Sequence, residues 1–80
     1  MSNDTVVMRM YTVYKDPVDL PDVPFAVREF EILPGEAPRP GPLVGMASSL
    51  EAVRMSIPPH AGTCLVRSAD DDPAIVETWL

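Results

Sequence analysis

Ten prolines divide this chain of 80 residues into short segments. Proline has a fixed φ and no backbone N–H, so it ends helices and is excluded from the interior strands of a sheet. Residues 15–24 contain three prolines and three aspartates, and residues 34–45 contain four prolines and three glycines. We predict a loop at each cluster. We interpret residues 34–45 as an intramolecular connection, because they lie between two elements and not on a free tail.

Four of the remaining segments have the composition of β-strands. Residues 5–14 and 25–33 are rich in β-branched and aromatic side chains and contain no Gly or Pro. Shorter segments of similar character occupy residues 62–67 and 75–80. The last of them contains the only Trp of the chain, and such an apolar end is expected to be paired as a structural strand.

The alternation of side chains breaks within the second predicted strand. Phe25 and Val27 would point to one face of a regular strand, whereas Phe30 and Ile32 would point to the other. Either a bulge near Arg28 resets the phase or both faces are partly covered, and we favour the bulge.

A short helix is predicted after Ser48. Ser48 and Glu51 have the spacing of a capping box, and Glu51 can also pair with Arg54 one turn later. Two consecutive prolines then end the helix. The apolar residues recur at helical spacing and would form one stripe packed on a sheet: Leu50, Val53 and Ile57.

Length and charge limit the class of protein. Eighty residues predict a single globular domain over residues 1–80. The net charge of −6 disfavours binding to nucleic acid or to an anionic membrane surface. A single cysteine, a start without signal-peptide features and the lack of an apolar run of about 20 residues favour a cytoplasmic protein that does not span a membrane.

These elements predict an α+β fold with the order β-β-α-β-β. The four strands would form a mainly antiparallel sheet, with the short helix packed on one face. A helix of two to three turns covers only part of a face, so apolar side chains could remain open on the other unless residues 34–45 fold over them. We expect Val76, Thr78 and Leu80 to face the core. The residues expected on the uncovered face are Tyr11, Val13, Ile75, Glu77 and Trp79.

The only His and the only Cys of the chain lie four residues apart, at His60 and Cys64. A thiol next to a base can be a nucleophile, but a free Cys in a strand is more often a small buried side chain. The spacing of Asp16, Asp19 and Asp22 lacks the glycine and distal glutamate of a calcium loop. We therefore predict no catalytic residues, no metal site and no cofactor.

Charged residues are distributed one to each predicted strand, at Arg9, Arg28, Arg67 and Glu77. On neighbouring strands they could form a ladder of surface ion pairs, each worth about 0.2–1 kcal/mol. The alternative is a recognition face for a small anionic ligand, with the three arginines as the candidate ligand residues.

Five short motifs, taken together, resemble a group of short bacterial proteins to which no activity is assigned. The most specific motif lies at 71–79, and the others lie at 13–17, 27–30, 49–54 and 57–59. The resemblance implies a small cytoplasmic bacterial protein and no particular chemistry. His60 departs from the pattern, in which Gly follows the two prolines, and this weakens the case for chemistry with Cys64.

Three functions are compatible with these features. The first is a non-enzymatic interaction or regulatory module that uses an open sheet face or an edge strand, with a second copy or another protein as its partner. The second is a small enzyme or enzyme subunit that uses His60 with Cys64 or a carboxylate. The third is a binder of a small anionic ligand at the arginine ladder. We favour the first.

Overall fold

Strands account for most of the regular structure of this chain. A computed structural model describes residues 8–66 and 73–80. Within them β1, β2, β4 and β5 overlap the four predicted strands, β3 lies in a predicted loop, and α1 follows β3. The elements are β1 (Met8–Lys15), β2 (Phe25–Ile32), β3 (Arg39–Ala47), α1 (Leu50–Arg54), β4 (Cys64–Val66) and β5 (Ile75–Trp79).

The sheet has five strands in the order β3-β2-β1-β5-β4, and every neighbouring pair is antiparallel. The prediction of four strands in the order β-β-α-β-β is therefore wrong, since the observed order is β-β-β-α-β-β. The terminal segment does form a strand, and β5 lies between β1 and β4 rather than at an edge.

The missing strand, β3, lies in the proline-rich segment that we predicted to be a loop. It forms one edge of the sheet, where a proline without an N–H costs no ladder hydrogen bond on its outer side. Pro40 is paired with Phe30 across the ladder. A Cβ added at Gly41 would lie 3.0 Å from the Glu29 carbonyl oxygen, so the close approach of the two backbones favours glycine there. Residues 39–45 therefore extend the sheet and do not fold over one of its faces, and residues 34–38 form the connection that leads into them.

The prediction that a bulge near Arg28 resets the phase of β2 is wrong, because the irregularity there lies in β3. Register shifts occur between Val27 and Arg28 and between Arg28 and Phe30 in the pairing of β2 with β3. Against β1, β2 is regular along its whole length, so its side chains keep one phase. Both faces of β2 are used as a result: Phe25 packs against the core beneath the helix, while Phe30 and Ile32 are partly buried on the opposite face.

The core lies between the sheet and the segment that follows β3. Val13 and Val27 on the sheet are fully buried together with Val53 of α1. Leu50 and Ile57 pack against this cluster, as the helical spacing predicted. The helix is shorter than expected at both ends. Its N-cap is Ser49 and not Ser48, with the Ser49 hydroxyl accepting a hydrogen bond from the Ala52 N–H at 3.1 Å, and its C-cap is Met55.

The other face of the sheet is partly covered by the loop between β1 and β2. Within this loop, the N–H of Leu20 donates to the Pro17 carbonyl at 3.0 Å and the N–H of Val23 donates to the Leu20 carbonyl at 3.0 Å. Pro17 is buried, and so is Ala26 on the sheet beside it. The predicted turn at residues 15–24 therefore also serves as a cover, which closes one end of the second face.

Gly45 of β3 allows the turn after α1 to pack directly on the sheet. A Cβ built at this position would overlap the side chain of Ser56. We therefore expect Gly45→Ala to lower the free energy of unfolding by about 1–3 kcal/mol, the usual cost of overpacking. Chemical denaturation followed by circular dichroism measures this difference.

Gly62 provides the matched control for that substitution. No atom lies within 4 Å of a Cβ added there, so Gly62→Ala should leave the stability nearly unchanged. Removing the Ser56 side chain should rescue the first variant, and Gly45→Ala/Ser56→Gly should recover most of the lost stability. Equal effects of the two alanine substitutions would contradict the steric explanation.

Candidate functional site

The residues predicted to form an open interface are instead mostly covered by the helix and the turn that follows it. Tyr11 and Val13 are buried in the core, and Glu77 is only 4% exposed. Trp79 lies opposite Tyr11 and packs against the same core, while Ile75 is paired with Tyr14 beyond a register shift. That register also places Thr78, which we expected in the core, opposite Thr12 on the other face of the sheet. The assignment of the two faces of β5 is thus reversed for Glu77 and Trp79.

Glu77 is a buried carboxylate held by groups from two other elements. The Nε of Arg54 donates to Oε1 at 2.6 Å, and Nη2 donates to Oε2 at 3.0 Å, which is a bidentate pair. The Cys64 thiol donates to Oε2 at 3.0 Å. The hydrogen bonds from Arg54 hold the pKa of Glu77 below its usual value, against the opposing effect of burial. The ionised side chain of Glu77 in β5 is therefore bonded to side chains of both α1 and β4.

Trp79 lies next to the cluster formed by Glu77, Arg54 and Cys64. Its indole N–H is buried and makes no hydrogen bond of good geometry, although it is close enough to Glu77 to help lower the pKa of that carboxyl. Trp79 and the prolines at 58 and 59 line a shallow cavity of about 160 Å³, with Arg54 at its border. Trp79 and Ile57 both pack against the buried core and both line this cavity.

His60 and Cys64 do not form a nucleophile and base. The His60 ring lies edge-on to Tyr11, with centroids 6.3 Å apart, and the described residues include no hydrogen bond between His60 and Cys64. The thiol instead donates to Glu77. Cys64 is exposed rather than buried as expected. Partial desolvation of its thiol, together with the hydrogen bond to this carboxylate and its charge, raises the pKa of Cys64. A thiol with a raised pKa next to an anion is a poor nucleophile.

The arginines of the predicted ladder are not brought together. Arg9 lies opposite Glu31 and pairs with Glu29 at 3.7 Å, on the face that carries the helix. Arg28 lies opposite Thr12 on the other face, where its Nη1 donates to the Gly41 carbonyl at 2.7 Å. Arg67 lies outside the described residues.

Two kinds of feature are absent from the described residues. No group of three or more His, Cys, Asp or Glu side chains in residues 8–66 and 73–80 could hold a metal ion. Within the same residues, no helix has the length and apolar character that crossing a bilayer requires.

Among the residues that the structure describes, β4 forms one edge of the sheet and carries exposed apolar side chains. Thr63 and Leu80 exchange two backbone hydrogen bonds, of 3.3 and 2.8 Å. Because hydrogen-bonded pairs alternate along an antiparallel ladder, Leu65 bonds inward to β5, whereas the N–H and C=O groups of Cys64 and Val66 point away from the sheet. Leu65 is 49% exposed and Val66 is 86% exposed. This edge offers backbone donors and acceptors beside uncharged side chains.

The two edges of the sheet differ in chemistry. The β3 edge contains two prolines and an arginine, which hinder the addition of another strand. The β4 strand, Cys64–Val66, contains neither proline nor a charged side chain. Strand order cannot be read from these short segments, so the sequence alone did not identify β4 as an edge. Comparison with protein-family models, with curated proteins and with solved structures gives no match.

Proposed function

We propose that this protein is a non-enzymatic interaction module that associates through the free edge of β4, with a second copy of the chain as its partner. The observation that carries the proposal is the set of outward backbone groups on Cys64 and Val66, next to two exposed apolar side chains. An unprotected edge of this kind adds a strand by main-chain hydrogen bonding.

The β4 edge is complementary to itself. Antiparallel pairing of two copies about a twofold axis would place Cys64 of one copy opposite Val66 of the other, so that each pair exchanges two hydrogen bonds. Leu65 would then meet its own symmetry mate on the face opposite the helix. The uncharged character of this segment supports self-pairing in a protein whose net charge is −6, because the contact brings no like charges together.

The expected association is weak. Four backbone hydrogen bonds contribute about 1 kcal/mol each, and the cost of association removes much of that gain. The apolar contacts of Leu65 and Val66 add to these hydrogen bonds, and we expect a weak dimer that is populated only at high micromolar concentration and above. An enzymatic role has less support, because the thiol of Cys64 donates to a carboxylate and His60 packs against an aromatic ring.

A cross-linking experiment tests both the association and its register. In the Cys64→Ser/Leu65→Cys variant the two introduced thiols would face each other across the twofold axis. Their Cα atoms would be about 4.5 Å apart, which is within the range of a disulfide. We expect mild oxidation at high micromolar concentration to give a covalent dimer on a non-reducing gel.

The matched control moves the thiol by one residue. In Cys64→Ser/Val66→Cys the two thiols would lie on diagonal positions more than about 7 Å apart, and they should not bridge. Sedimentation of the unmodified protein over a concentration series gives an independent measure. A monomer at high micromolar concentration, or equal cross-linking of the two variants, would refute association through this edge.

A further inference from the structure

A second cavity, of about 160 Å³, lies on the face of the sheet opposite α1. Pro17, Asp19 and Leu20 of the loop between β1 and β2 form one side, and Arg28 and Leu43 of the sheet form another. The loop is held in place by its own backbone hydrogen bonds and by a bond of 2.8 Å from the Asp16 N–H to the Pro24 carbonyl. The cavity is therefore built from segments with their own hydrogen bonds, and its walls combine apolar side chains with the charged groups of Asp19 and Arg28.

Arg28, which lines this cavity, differs from the other described arginines. Arg9, Arg39 and Arg54 each pair with a glutamate. Arg28 is partly buried, yet among the described residues no carboxylate lies within ion-pair distance of it. Its one hydrogen bond goes from Nη1 to the Gly41 carbonyl, at 2.7 Å. A guanidinium has five N–H donors, and most of those of Arg28 make no hydrogen bond or ion pair with the residues that the structure describes.

We infer that this cavity binds a small monocarboxylate with an apolar body, with Arg28 holding the carboxylate. A planar guanidinium matches a carboxylate through two parallel hydrogen bonds, and the pair is strengthened where water is partly excluded. Leu20 and Leu43 would contact the hydrocarbon part of the ligand. The carboxylate of Asp19 also lines the cavity and opposes a second negative charge, which favours a singly charged ligand over a phosphate dianion.

The first test compares an acid with its neutral analogue. Titration of the ¹⁵N-labelled protein with 4-methylpentanoate should give saturable shifts at Leu20, Arg28 and Leu43. A Kd on the order of 1 mM is typical for a ligand of this size. The alcohol 4-methyl-1-pentanol should bind at least tenfold more weakly, and inorganic phosphate should give no saturable shift at these residues. Equal binding of acid and alcohol would overturn the inference, whatever the behaviour of any variant.

Substitutions then test the role of Arg28 itself. Arg28→Gln should weaken 4-methylpentanoate binding at least tenfold, and Arg28→Lys should retain part of it because the charge remains. Arg39→Gln makes the same change in charge at an arginine that pairs with Glu31 outside the cavity, and it should leave binding unchanged. The spectra of the free variants report whether they fold. If Arg39→Gln weakened binding as much as Arg28→Gln, the effect would be one of net charge and the assigned site would be wrong.

Discussion

Truncation of Trp79 to alanine is expected to lower the free energy of unfolding by about 3 kcal/mol, the lower end of the range for Trp→Ala in a core. The ring packs against the buried cluster of Tyr11 and Val13, but it is not fully enclosed. Removing it would also enlarge the shallow cavity beside Pro58, which the short turn cannot collapse to fill. Denaturation in urea measures the loss, and the slope of the transition should be unchanged.

Two other substitutions show whether this loss arises from packing. Trp79→Phe keeps an aromatic ring and removes an indole N–H that makes no good hydrogen bond, so it should cost much less than Trp79→Ala. Leu65→Ala changes an exposed residue of β4 and should affect stability by about 0.5 kcal/mol or less. A Trp79→Ala variant with normal stability but impaired self-association would mean that the ring serves an interface and not the core.

The central strands could be predicted from the sequence because their signal is local. Residues 5–14 are rich in β-branched and aromatic side chains and lack Gly and Pro, which indicates a strand regardless of its partners. The helical spacing of Leu50 and Val53 is equally local, and it correctly identified the side of α1 that packs on the sheet. Such patterns need no knowledge of which strand lies beside which.

Strand β3 could not be found in this way, because its proline content is compatible with a strand only at an edge. The spacing of Pro38, Pro40 and Pro42 is two residues, which in a regular strand would direct every missing N–H to the same side. This periodicity is a usable signal for an edge strand. The pattern suggests that a segment is suited to an edge, but it does not give the position of the strand in the sheet, since strand order depends on pairings between distant segments.

The Glu77 cluster was missed for a related reason. A charged residue in a strand is expected to face solvent, and Arg54 was expected to pair with Glu51 one turn away. In the structure Arg54 instead reaches Glu77, 23 residues away in sequence, and the cation allows the carboxylate to be buried. The burial of Glu77 therefore goes together with an ion pair between distant segments. The local periodicity of β5 carries no information about such a pair.

The Arg54→Met variant is expected to lower the free energy of unfolding, because it removes the cation that pairs with Glu77. Loss of one partner leaves a buried carboxylate without its counter-ion, which typically costs about 3–5 kcal/mol when both groups are enclosed. The Arg54 side chain is 42% exposed, and screening by water reduces the expected loss to about 2 kcal/mol. Methionine preserves most of the apolar stem, so the change reports mainly on charge. Urea denaturation at neutral pH measures the difference.

The pH dependence of this difference separates charge from packing. The pKa of Glu77 is lowered in the folded protein, so its contribution to stability is present above the unfolded-state pKa of about 4.3 and is lost as the pH falls through the folded value. In Arg54→Met, burial without the cation raises the pKa, and protonation then relieves the uncompensated charge. The stability gap between the two proteins should therefore be largest near neutral pH and should shrink as the pH falls from the raised pKa of Glu77 in the variant to its lowered pKa in the parent. If the difference in unfolding free energy stayed constant down to pH 3, the effect would arise from lost packing of the arginine stem and not from charge.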